Sequence, residues 1–173
     1  MINYIEKYHS HLYYILTLCL FGLFVLQRIP YLSLTVATAT PTLLLPAVIV
    51  IACFLREWTG FWVGLISGIA LDTVTNGTSI LNTLLLLVIG VAAGLAFRLF
   101  LNRNLKAVLV FGIIVSVAFY LIKWLFLDLF TGDSSAFALL FYYHLPSALY
   151  TAAFSVPFYY FVRWLSQKYL IEQ

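Results

Sequence analysis

The chain has 173 residues, 64% of them hydrophobic and only 9% charged, with a formal net charge of +3. Soluble domains run about 45–50% apolar and about 25% charged, and a fold this small has too little interior to hide the excess, so a soluble globular domain is excluded. So small a charge, with no basic tract interleaved with aromatics, also excludes a nucleic-acid binder. What remains is a polytopic, all-α integral membrane protein, one domain over 1–173, built from apolar runs long enough to span a bilayer.

Six helices are expected. The first runs from Leu12 to Leu26, and Gln27 and Arg28 end it. Ala37-Thr38-Ala39 resembles a signal-peptidase site, but about ten residues separate it from the run, so the first span reads as retained. Ile29 to Thr40, with Pro30 and several threonines, reads as an outer loop. The second helix opens near Pro41, where proline suits a first turn, and ends near Leu55. After a turn at Arg56-Glu57 the third runs from Trp58 to Val74, and Thr75-Asn76-Gly77-Thr78 is a turn. The fourth spans Ile80 to Leu101 and the fifth Ala107 to Phe130. Thr131 to Ser135 is a loop, and the sixth spans Ala136 to Leu165, kinked by Pro146 and Pro157.

Basic residues orient this bundle. With the N-terminus inside, Lys7, Arg56, Arg98, Arg103, Lys106, Arg163 and Lys168 all fall on the cytoplasmic side, and only Arg28 falls outside. Cytoplasmic loops carry such an excess, so both termini are expected in the cytoplasm. The same cations suit lipid headgroups. Cys19 and Cys53 lie inside apolar runs with no paired spacing, and His9 and His11 have no carboxylates at ligand spacing, so no disulfide, metal or other cofactor is expected. No phosphate loop, HExxH or GxSxG motif occurs, and no catalytic residue is assigned.

The third helix holds the most informative pattern, GFWVGLISGIALD over residues 60–72. Gly60, Gly64, Gly68 and Asp72 recur every fourth residue and so share one helix face. The fourth helix carries Gly90 and Gly94 at the same spacing. Small residues so placed let helix backbones approach closely in lipid, either between the third and fourth helices or with a partner's helix. Asp72 is costly within a span and needs a partner. It lies 15 residues beyond Glu57, about 22 Å at ~1.5 Å per residue, and Lys123 lies 17 residues beyond Lys106, about 25 Å. An Asp72–Lys123 pair with His144 adjacent is therefore expected, either as an ion pair fixing helix register or as the lining of an outward pocket.

Taken together, Leu26-Gln27-Arg28-Ile29-Pro30, the Pro41-led second span, Arg56-Glu57-Trp58-Thr59 leading into Gly60-Phe61-x-x-Gly64-x-x-x-Gly68-x-x-x-Asp72, and the ending Phe97-Arg98-Leu99-Phe100 resemble the rod shape-determining protein MreD family. Residues 56–100 are the specific part; after Asp72, Thr78-Ser79-Ile80 departs from the small-residue turn common in the family. The resemblance implies a non-enzymatic subunit of the bacterial cell-wall elongation machinery. Its implied partners are the single-span protein MreC, RodA with its penicillin-binding transpeptidase, and MreB. It also implies a six-helix fold similar to the substrate-binding subunits of energy-coupling-factor transporters, so the competing expectation is such a subunit for a vitamin. The first span shows only Gly22 where a transporter subunit would offer small-residue motifs to its coupling subunit, which favours the scaffold.

Overall fold

The structure is a computed structural model and describes residues 15–25, 42–55, 57–74, 80–126 and 136–170. The expected loops at Ile29 to Thr40 and Thr131 to Ser135, the turn at Thr75 to Thr78, and Lys7, His9, His11, Arg28 and Arg56 lie outside the described residues. The described elements are helical: α1 (Ile15–Val25), α2 (Leu44–Phe54), α3 (Glu57–Val74), α4 (Leu81–Leu99), α5 (Leu105–Trp124), α6 (Ala136–Leu139), a π-helical segment (Leu140–His144), α7 (Leu145–Ala153) and α8 (Ser155–Leu170). The last four form the expected sixth helix in pieces, so the described residues form six helical units.

The pieces follow from the prolines. Pro146 has no N–H for the carbonyl of Tyr142, and just before it the chain bonds in the wider π register, with the Leu145 N–H on the Leu140 carbonyl. Pro157 likewise cannot donate to Ala153. The helix breaks one residue later, at Phe154, whose N–H reaches back only three residues to Thr151.

α2 is the centre of the bundle. Every residue from Leu44 to Cys53 is buried, because the segment is apolar on all sides and neighbours close round it. It contacts α3, α4, α5, α7 and α8. Its eleven residues span only about 16 Å. Pro46 is harmless in its first turn, where N–H groups have no helical acceptor anyway. Just before it, the Thr42 N–H donates to Thr151 Oγ1 (3.1 Å). Tyr120 Oη lies 2.9 Å from Thr42 Oγ1 and 3.2 Å from Thr151 Oγ1, so three elements are tied at one hydroxyl cluster. α1 adds Leu16 and Leu20 to this core.

Two helices, Leu81–Leu99 and Leu105–Trp124, are long and apolar enough to cross a membrane. The outward faces are apolar too: Leu84 and Val88 on α4, Val110 and Ile114 on α5, and Leu149 and Phe161 near the C-terminus are all exposed. A water-soluble surface does not carry apolar cover on this scale.

Candidate functional site: the faces of the third helix

α3 presents a different chemistry on each side. Its glycine face lies on α4, the most extensive helix pairing among the described residues. A Cβ added at Gly60, Gly64 or Gly68 would fall well inside 3.0 Å of α4 backbone, at the Gly90 carbonyl, the Leu86 carbonyl and the Thr83 Cα respectively. Gly90 is the reciprocal: a Cβ there would strike the Gly60 carbonyl. Gly94 is buried further along the same helix. Only glycine permits this backbone-on-backbone approach, so the seam joins the subunit's own third and fourth helices. At Gly60 the added atom would also meet Ala52 Cβ at 2.9 Å, so α2, α3 and α4 converge there.

Asp72 closes the far end of this hairpin. Its carboxylate accepts the backbone N–H groups of Asn82 (3.2 Å) and Thr83 (2.8 Å) and the Thr83 hydroxyl. Asn82 and Thr83 are the second and third residues of α4, whose own cap residue, Ile80, makes no side-chain cap. A carboxylate from the preceding helix thus does what an N-cap side chain ordinarily does, and its charge sits favourably at the positive end of the helix dipole. At the opposite end Arg98 pairs with Glu57, again joining α4 to α3.

Lys123 and His144 both have aromatic neighbours on α5. The Lys123 ammonium lies 5.3 Å over the ring of Phe119, one turn back on α5. His144, buried on the π-helical segment, has its ring 6.1 Å from that of Tyr120 and 5.1 Å from that of Tyr143. Asp72 takes hydrogen bonds from α4, and Lys123 and His144 share the Phe119–Tyr120 region of α5. α3 packs on α4 and α2, and α5 packs chiefly on α7 and α8.

The remaining side of α3 is open. With α1 it walls an elongated groove of about 660 Å³, lined by Phe21 and Phe24 of α1 and by Trp62, Ile66, Ser67 and Ala70 of α3, among others. Trp58, Trp62, Ile66 and Ile69 are large and exposed. Their spacing was a readable signal: they form a stripe on the face turned away from the glycines.

The rod shape-determining protein MreD family model matches residues 8–169. No curated protein and no solved structure matches the chain, so the expected likeness to energy-coupling-factor subunits finds no support. A match over nearly the whole chain, on an all-helical bundle with an apolar exterior, decides the matter: the chain belongs to the MreD family of shape-determining membrane proteins.

Proposed function

We propose that this protein is a multi-pass scaffold in the bacterial inner membrane, with both termini cytoplasmic, that binds an MreC-like single-span protein. In this reading it helps hold the peptidoglycan-elongating enzymes, a RodA-type glycosyltransferase with its penicillin-binding transpeptidase, in register with MreB filaments. It organises partners and carries out no chemistry of its own. The observation that carries the reading is the family match over residues 8–169. The bundle adds physical support: a rigid α3–α4 hairpin locked by glycines, Asp72 and Arg98 leaves the other face of α3 open.

The test is depletion of the protein in its own host, with purification of the tagged chain from membranes. Rod cells should round up, and a single-span partner with a coiled-coil extracytoplasmic region should copurify. Cells that stay rod-shaped, or a chain that brings down an ATPase pair instead, would refute the scaffold.

A further inference from the structure

At one end of the bundle a buried phenol holds two cations together. Tyr159 of α8 is 2% exposed, and its ring packs on that of Phe54 at the end of α2, with centroids 5.5 Å apart. Its hydroxyl donates to the backbone carbonyl of Arg103, in the turn between α4 and α5 (3.0 Å). Arg163, one turn further along α8, lies over the same ring, 5.9 Å from its centroid, and its Nη1 reaches the Tyr159 hydroxyl at 3.5 Å. One side chain thus ties the α4–α5 turn to α8 and sets Arg163 beside Arg103.

Neither guanidinium meets a carboxylate among the described residues. The carboxylates there are Glu57, which pairs with Arg98, and Asp72, which caps the start of α4. Both arginines are exposed. Their border is apolar: Trp164 follows Arg163, Leu99 and Phe100 precede the Arg103 turn, and all three are exposed. Tryptophan at the end of a span marks the level where acyl chains meet headgroups. Two guanidiniums beside an apolar border complement a molecule with phosphate on one side and acyl chains on the other. A free phosphate would leave the border uncovered, and an acidic protein segment would lay charge against it. Arginine also suits phosphate better than lysine does, because its fork gives two parallel hydrogen bonds.

We propose that Arg103 and Arg163, bridged by Tyr159, bind the phosphate of an anionic glycerophospholipid whose acyl chains lie along Phe100 and Trp164. With both termini cytoplasmic, its leaflet is the cytoplasmic one, where anionic lipid attracts basic segments. The site needs a membrane and no protein partner, so it stands or falls apart from the scaffold reading. Lys106 provides the contrast. It is exposed and lies two residues, about 200°, round α5 from Val108, which is buried on the face whose Gly112 meets Ser155 of α8. It therefore points away from α8 and from Arg163.

The test uses the full chain purified in detergent and doped with phosphatidylglycerol or phosphatidylcholine, with bound lipid read by native mass spectrometry. Phosphatidylglycerol should be favoured at least about fivefold, and Arg103→Gln and Arg163→Gln should each cut its retention about fivefold, the worth of one basic residue near an anionic surface. Lys106→Gln should change it less than about twofold, although it removes the same charge. Arg163→Lys, which keeps the charge and loses the fork, should fall between wild type and Arg163→Gln. Both arginines are exposed, so unfolding of the lipid-free variants should match the wild type. Glycerol 3-phosphate, a headgroup without chains, should displace little lipid, and a photocrosslinker at exposed Asn102 in the same turn should capture lipid in native membranes. Equal retention of the two lipids overturns the site. So does a loss in Lys106→Gln as large as in the arginine variants, which would mean a generally basic surface. Complete displacement by glycerol 3-phosphate would make it a free-phosphate site, and capture of protein alone at Asn102 would make it a surface for an acidic partner; either result refutes the lipid.

Discussion

Gly60 and Gly90 give the sharpest test of the α3–α4 seam, because each occupies the space that the other's missing side chain leaves. A Cβ on either would press into the carbonyl of the other, well inside 3.0 Å, where ordinary contact begins at 3.4 Å. Gly60→Ala alone therefore forces the helices apart by about 1 Å, a gap that forfeits a quarter to a half of each affected dispersion contact along the seam. We expect a cost of about 1–3 kcal/mol, the usual range for overpacking. Gly90→Ala should cost a similar amount. In the double variant the second methyl enters space that the first has opened, so the combined cost should fall short of the sum by about 1 kcal/mol. Unfolding in mixed detergent micelles, followed by the fluorescence of Trp58 and Trp62 on α3, measures all four corners of the cycle. Gly22→Ala is the control: nothing lies within 4 Å of its added carbon, and alanine favours helix, so it should be neutral or stabilising. Additive costs, or single costs no larger than that of Gly22→Ala, would refute backbone contact between α3 and α4.

Asp72→Asn keeps the shape but removes the charge from the N-terminus of α4; a loss of about 1 kcal/mol, and more for Asp72→Ala, should appear in the same unfolding assay. Tyr120→Phe removes the hydroxyl that Thr42 and Thr151 share and should cost about 1–3 kcal/mol, with a smaller further loss when Thr42→Val is added, since the pair then no longer exists. Arg98→Gln should move stability by less than about 1 kcal/mol, because the Arg98 side chain is 53% exposed in its pairing with Glu57; a larger loss would show that the pair is more deeply desolvated than its exposure implies.

How far the sequence could be read depended on the kind of information each feature carries. Composition and helix period are local, so the helical segments and the glycine face of α3 were legible within a few residues. The fragmentation of the last helix was partly legible too, since Pro146 and Pro157 announce where N–H groups are missing. What the period names is a face, and it does not name what that face meets. Gly60, Gly64 and Gly68 read as a seam either for α4 or for another protein; only the positions of Gly90, Leu86 and Thr83 against them settle which. Asp72 shows a different limit. A search for its counterpart among charged side chains leads to Lys123 at similar depth, yet the groups it bonds include two backbone N–H groups, which no residue letter marks. The relevant signal was positional: an acidic residue nine positions before a helix start whose own cap residue, Ile80, is apolar. The groove needs still more, because Trp62 and Ser67 acquire a shared wall only once α1 is placed beside α3. These three cases order the faces of one helix by how much of the fold each requires. The glycine face needs its neighbour in sequence, the carboxylate end needs that neighbour's backbone, and the open face needs the first helix as well.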